Sequence, residues 1–370
     1  MRIAIVGCGQ LSRMLALAGL PLGIKFSFIN DNLQQVTDCV DGLGRVVTLT
    51  KSWREEQNIH KLYNLLGKPD VITVEKEQVD IELLKALQAY CDVLPNIEAI
   101  SACQHRYREK QLLEKLSIPT SPFAYSLPAS EALKVLQLPM VVKSCSDGYD
   151  GKNQWVLKTL ADIEDFDRLN IEDYIIEAWI KFEREISLVS VRSKNGNIEH
   201  YALTENTHKN GILLQSIAPA IDQNNTLALK TQAYMESVLN ALDYVGVLAM
   251  ECFVVDGELM INELAPRVHN SGHWTQAGSI TCQFENHIRA VAGLVLGSTA
   301  SLGTTGMINL IGNEKPPMTS LSALSTLHWY NKSVKPQRKL GHVNFFDKDR
   351  VNLVQQMDNF ECVLKLNHIR

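Results

Sequence analysis

The chain has 370 residues, 45% of them hydrophobic and 21% charged, with a net charge of −5. Single cores rarely grow past about 250–300 residues, so two or three domains are expected, and the acid excess gives no support for a nucleic-acid-binding surface, so no nucleic-acid partner is expected. Eight cysteines without a CxxC pair read as reduced thiols in a cytosolic protein, and no apolar run approaches the roughly 20 residues that span a bilayer, so cytoplasm and no membrane partner are expected.

Residues 2–6 (RIAIV) predict a short strand, followed by GCGQLS and a helical stretch from Arg13 to Ala18. A second strand from Lys25 to Ile29 ends at Asp31. With strands near 45–49 and 70–74 and a helix over 54–66, this opening predicts a small doubly wound sheet. The amides of a strand-to-helix loop suit a phosphate or a carboxylate. The loop resembles GxGxxG with Ser12 in the third glycine's place, and Asp31 stands where a ribose-binding acid would sit, which admits an NAD-binding alternative. Ser12 also suits a helix N-cap.

Pro95-Asn96 is a candidate domain boundary, and a helix is expected over 104–116. Further on, a strand over 139–143 and a returning strand over 154–157 flank KSCSDGYDGKNQW (143–155), a hairpin with a mobile tip. Gly148 and Gly151 would let the backbone approach a polyphosphate, with Lys143 as a point charge; the plainer reading is an exposed hairpin. Strands are expected near 174–177 and 185–191. His208 to Gly211 reads as a polar turn, where a lone histidine is usually solvated.

A helix over 227–242 leads into MECFVVDGELMINELAPRVHNSGHWT (250–275), where Glu251 and Glu263 lie on two apolar strands joined by Asp256-Gly257. Paired carboxylates suit magnesium, which accompanies substrate phosphates. A two-residue turn would set Glu251 opposite Asn262 and leave Glu263 on the other face, whereas a three-residue loop or a bulge would oppose the two glutamates. The second register is expected. A helix over 284–295, short strands after 303, and cations at Lys332, Lys335, Arg338, Lys339 and His342 complete the chain. Such a run is usually a solvated face, though Arg338-Lys339 before Leu340-Gly341 suits a phosphate monoester.

The segments GQLSRM, GYDGKNQW, MECFVVDGELMINELAPRVHNSGHWT and RKLGH, taken in order, resemble the N5-carboxyaminoimidazole ribonucleotide synthetase family of ATP-grasp enzymes over nearly the whole chain. The most specific of them is NELAPRVHNSGHWT. The resemblance implies a mixed α/β and α+β fold. It comprises a Rossmann-like, doubly wound pre-ATP-grasp domain (1–95), a central ATP-grasp domain (96–302) with a mobile subdomain at about 117–182, and a small C-terminal β-rich domain (303–370).

The implied reaction belongs to purine (IMP) synthesis. ATP with magnesium, or manganese in its stead, phosphorylates bicarbonate to carboxyphosphate, which carboxylates the exocyclic amine of 5-aminoimidazole ribonucleotide; a homodimer is implied too. Carried over by motif, ATP would be met by Arg106, Lys143, the loop Gly148, Tyr149, Asp150, Gly151, Lys152, Asn153 and Gln154, the hinge Glu177, Ala178, Trp179 and Ile180, and by Glu185, His208, Asn262 and Glu263. Metal would fall to Glu251 and Glu263, catalysis to Arg267, His269, Asn262 and Lys332, and the ribonucleotide to Gln10, Leu11, Tyr149, Asp150, Lys332 and Arg338.

Two positions depart from the family pattern: Asn153 replaces the last glycine of GYDGxGQ and Ser12 the glycine of GQLGRM. Asparagine tolerates the left-handed region. The alternatives are another ATP-grasp ligase, such as formate-dependent glycinamide ribonucleotide transformylase, or a non-catalytic nucleotide-binding module.

Overall fold

The computed structural model describes residues 1–32, 36–146, 153–169, 171–312 and 321–367. The first region comprises β1 (Arg2–Val6), α1 (Gln10–Gly19), β2 (Lys25–Asn30), β3 (Arg45–Thr48), α2 (Glu56–Leu65), β4 (Val71–Val74), α3 (Ile81–Gln88), β5 (Asp92–Val93) and α4 (Ile97–Cys103). Its five strands run parallel in the order β3-β2-β1-β4-β5. Helices cover both faces, so the central strand is apolar from Ile3 to Val6: Ile3 and Ile5 pack toward α1, Ala4 and Val6 toward α2 and α3. α1 forms because Leu11, Met14 and Leu15 recur at helical spacing and are buried, and Pro21 follows its end. The residue at its N-cap is Gly9, not Ser12, which lies in the first turn and donates from Oγ to the Gly7 carbonyl at 3.0 Å.

At the boundary, Asn96 caps α4 by accepting from Ala99 N at 2.8 Å, and its amide donates to the Leu242 carbonyl at 2.7 Å. One side chain thus starts a helix and ties the first region to the next. There follow α5 (Arg106–Lys115), β6 (Phe123–Tyr125), α6 (Ala129–Ala132), β7 (Met140–Ser144), β8 (Gln154–Leu157), α7 (Leu160–Arg168) and β9 (Tyr174–Ala178). The four strands form an antiparallel sheet, β6-β9-β7-β8, whose own small core includes Met140, Val142, Phe166 and Ile176.

The remaining elements are β10 (Arg184–Arg192), β11 (Ile198–His200), β12 (Thr204–Lys209), β13 (Ile212–Ala218), α8 (Thr226–Ala241), β14 (Gly246–Val255), β15 (Glu258–Ala265), α9 (Thr275–Gly278), α10 (Gln283–Val291), β16 (Thr304–Ile311), β17 (Ser325–Trp329), β18 (Lys339–Asp347) and α11 (Arg350–Asn367). Here β10 and β12–β18 join in one sheet, β15-β14-β10-β12-β13-β16-β18-β17, with β11 added to β10. The C-terminal strands therefore continue the sheet that carries the two glutamates. Two expectations need correction. α10 stops at Val291, because Gly293 takes a left-handed φ of 71° that ends the helix. The C-terminal region also carries α11, whose Leu353, Met357 and Phe360 are buried against β16 and β18 at helical spacing.

Candidate active site

The β14–β15 hairpin turns through two residues, Asp256 and Gly257, with φ of 50° and 76°. Val255 faces Glu258, and that register would send Glu251 to Asn262. Instead the register shifts between Glu251 and Cys252, Asn262 is the extra residue, and Glu251 lies opposite Glu263. The expected opposition is present, by a bulge and not by a longer loop.

Two carboxylates so placed repel. Burial first and Glu263 second push the Glu251 carboxyl up to about 7. Around them, Arg106 on α5 donates to Glu263 Oε2 at 3.1 Å, and His269 Nε2 lies 3.5 Å from Glu251 Oε1. Ser271 N donates to His269 Nδ1 at 3.3 Å, which leaves the ring proton on Nε2, facing Glu251. Burial and the neighbouring Arg267 hold His269 well below its ordinary pKa, so the ring is neutral. The donor set, hard oxygens of two carboxylates held face to face, suits a magnesium ion.

Beside the pair, Glu185, Asn206, His208, Glu251 and Asn262 line one small pocket. His208 does not occupy a turn. It is the fifth residue of β12, at a register shift opposite Leu213, and its Nδ1 meets Glu185 Oε2 at 2.7 Å. Burial opposes its charge, yet the Glu185 hydrogen bond raises its pKa overall.

On the other sheet, Lys143 at the end of β7 lies 3.1 Å from Glu177 Oε1. Glu177 is 3% exposed, also meets Lys110 at 3.4 Å, and accepts from Ser121 Oγ at 2.5 Å. Although burial works against it, this pair of lysines holds the Glu177 carboxyl well below the carboxylate range. Burial lowers the pKa of Lys143 despite Glu177. Trp179 is half exposed, and Phe182 stacks on Phe253 at 4.5 Å nearby. The loop residues Gly148, Tyr149, Asp150, Gly151 and Lys152 lie outside the described residues. Asn153 is described: it adopts a φ of 52°, and its carbonyl accepts from Ser144 N at 3.0 Å. Since glycine shares that region without cost, Asn153→Gly should shift stability by at most about 1 kcal/mol and retain or improve the apparent ATP affinity. Initial-rate titration with ATP checks this; a large loss of activity would mean a loop built around the asparagine.

In the first region the GCGQLS amides meet a carboxylate from within the chain. Glu75, after β4, accepts from Gly9 N at 2.6 Å and Ser12 N at 2.9 Å. Gly7 (φ 118°) is needed there, since a Cβ would lie 2.3 Å from Glu75 Cγ. Asp31, the candidate ribose acid, is paired with Lys76 at 2.9 Å. Both features of the NAD reading are thus engaged internally. Glu75→Gln, which loses a charge-assisted acceptor, should cost about 1.5–3 kcal/mol in denaturant unfolding. Nearby, Lys332 donates to Gln10 Oε1 and lies 5.8 Å from the Tyr330 ring, so the C-terminal region meets the first. Burial lowers the Lys332 pKa. Leu11 is buried in the core, and Arg338 donates to Ser333 Oγ at 2.7 Å.

Several residues of this constellation escaped the sequence. Arg267 pairs through Nε with Glu77, and despite burial the guanidinium holds that carboxyl at about 2. Glu109 accepts from Leu264 N at 3.0 Å, and burial followed by Glu263 pushes its carboxyl up to about 8. Gln283 holds His269 at both backbone atoms, from Oε1 at 2.9 Å and Nε2 at 2.7 Å. Only Glu109 and Lys110 had a legible signal, at three and four residues from Arg106 on one helical face.

Comparison with known proteins matches residues 1–104 to the ribonucleotide synthetase preATP-grasp domain, 111–284 to the ATP-grasp domain and 305–356 to the phosphoribosylaminoimidazole carboxylase C-terminal domain. The chain is 40% identical to the N5-carboxyaminoimidazole ribonucleotide synthase of Pseudomonas aeruginosa, covering 99% of this chain and 100% of that protein. The crystal structure of N5-carboxyaminoimidazole ribonucleotide synthetase from Thermus thermophilus is similar at a TM-score of 0.89 and 38% identity, over 98% of both chains. A further similar structure is the Aspergillus clavatus synthase in complex with ADP and 5-aminoimidazole ribonucleotide, with a TM-score of 0.87, 25% identity and 98% of both chains covered.

Proposed function

The chain belongs to the N5-carboxyaminoimidazole ribonucleotide synthase family of ATP-grasp ligases, and from that premise we propose how its own residues carry the reaction. The activity is ATP-dependent carboxylation of 5-aminoimidazole ribonucleotide in purine biosynthesis. The carboxyl source in this reading is bicarbonate: an oxygen of it takes the γ-phosphoryl group of ATP, giving carboxyphosphate and ADP. The exocyclic amine then attacks the carboxyl carbon, and phosphate leaves.

Phosphoryl transfer asks for positioning and charge neutralisation more than for a covalent nucleophile. Lys143 and Arg106 would meet the phosphates, the loop 148–154 would close over them, and Glu177 to Ile180, Glu185 and His208 would hold the nucleoside. Glu251 and Glu263, with Asn262 beside them, would hold magnesium, which neutralises charge developing on the transferred group. Arg267 and His269 would bind bicarbonate and carboxyphosphate: Glu77 and Gln283 fix their directions, and a neutral imidazole donates from Nε2 without competing for the proton of the amine. Gln10, Leu11, Tyr149, Asp150, Lys332 and Arg338 would serve the ribonucleotide. We also infer a cytoplasmic homodimer, which light scattering of the purified protein tests. Among the described residues no helix is long and apolar enough to cross a membrane.

One observation carries the reading: the bulge opposes Glu251 to Glu263 and His269 stands against the pair. The test is coupled ADP release with and without bicarbonate and 5-aminoimidazole ribonucleotide. Turnover should need both; ADP release indifferent to the ribonucleotide, or stimulated by formate with glycinamide ribonucleotide, overturns the assignment.

A further inference from the structure

We infer that His105, Cys145 and Asp173 form a binding site for a borderline divalent cation, with zinc the ion that the donor set matches. Each offers one ligand atom, and the three atoms lie within 4.8 Å of one another. They come from separate segments: His105 is the residue before α5, Cys145 follows β7, and Asp173 precedes β9. The backbone holds these segments together. Cys145 N donates to the Asp173 carbonyl at 3.0 Å, and Arg106 N donates to the Cys145 carbonyl at 3.1 Å.

Side-chain contacts already gather on one carboxylate oxygen, Asp173 Oδ1, where His105 Nε2 lies at 3.0 Å and Tyr125 OH donates at 3.3 Å. His105 thus turns Nε2 toward Asp173, while Nδ1 is buried with no hydrogen-bond partner among the described residues. Cys145 is buried while the Asp173 side chain is 46% exposed, so an ion would enter from the aspartate side.

The donors decide which ion. Imidazole nitrogen, thiolate sulfur and one carboxylate oxygen make a three-ligand set with a fourth position left open, and the usual bond lengths of about 2.0–2.3 Å require only a small contraction of the cluster. Magnesium prefers six oxygens and is excluded here, which separates this site from the glutamate pair. An unligated thiol is protonated at neutral pH, whereas a metal binds the thiolate. Binding therefore exchanges one proton, leaving Cys145 Sγ for solvent, for one metal–sulfur bond. The bound ion would pin three segments whose neighbours are Arg106, Lys143 and Glu177, the charged groups of the proposed phosphate side.

The test uses the full-length protein, reduced and stripped with chelator, titrated with Co2+ without nucleotide. One equivalent should produce thiolate-to-cobalt charge-transfer absorption in the near ultraviolet, which Zn2+ abolishes by displacement. Calorimetry with Zn2+ in two buffers of different ionisation heat should show about one proton released per ion. Cys145→Ser should remove the absorption and Asp173→Asn should weaken Zn2+ binding at least about tenfold, with far-ultraviolet circular dichroism unchanged. Cys362→Ser and Glu251→Gln should leave the absorption intact. Absence of the thiolate band, its survival in Cys145→Ser, or unchanged Zn2+ affinity in Asp173→Asn overturns the proposal; if Cys145→Ser does not fold, the half-exposed Asp173→Asn decides. The readout is binding, so it succeeds or fails independently of the carboxylation reading.

Discussion

Glu263→Gln is expected to lower turnover by about 10²–10³-fold while the protein keeps its fold, the scale seen when one preorganised electrostatic group is lost. The amide keeps an acceptor for Arg106, so the hydrogen bond at 3.1 Å survives in weaker form, but the charge facing Glu251 is gone. With that repulsion removed the Glu251 carboxyl should fall part of the way back from about 7, burial still holding it above its ordinary value. The variant should need far more magnesium for half-maximal ADP release. Steady-state rates over a magnesium titration, with a thermal melt as the folding control, check this. Unchanged turnover would remove Glu263 from the site.

Arg267→Met should abolish ribonucleotide-dependent turnover and also destabilise the protein by about 3–5 kcal/mol, because it strands a largely buried Glu77 carboxylate without its partner. The double variant Glu77→Gln/Arg267→Met should recover most of that stability and none of the activity, which separates the structural role of the pair from its place in the site. pH supplies an independent check. Glu77 is held at about 2 against an ordinary 4.5, so its stabilisation is fully present above 4.5 and is lost as pH falls through about 2. The stability gap between wild type and Glu77→Gln, about 3 kcal/mol at most, should therefore be constant at neutral pH and close across that acid window. Chemical unfolding at several pH values measures it.

How much of this was legible depends on whether a signal was local. The parallel opening sheet, the hairpin of β7 and β8, and the glutamate strands all announce themselves through apolar runs bounded by glycine and proline. The resemblance added site residues one motif at a time, and among those described Lys143 meets Glu177 while His269 meets the glutamate pair. Partners brought by tertiary folding stayed hidden: Glu77 is 190 residues from Arg267, and Glu75 is 66 from Gly9. No spacing rule connects such positions. Ser12 shows the complementary failure, since a good capping residue was outcompeted by a carboxylate from another strand's end. The continuation of the central sheet through β16 and β18 was equally invisible, because composition shifts near residue 303 while strand pairing does not.

The extra residue at Asn262 changes the parity of everything after it. Side chains on a strand count in twos, so one added residue acts as a phase shift: Glu263 and Leu264 exchange the faces they would have had under the two-residue turn. Two adjacent residues, Asn262 and Glu263, thereby oppose the single position Glu251, and the altered phase passes into the segment that delivers Arg267 and His269. Moving the bulge one step along the strand would leave the composition, length and turn untouched, yet would deal a different set of side chains to the site.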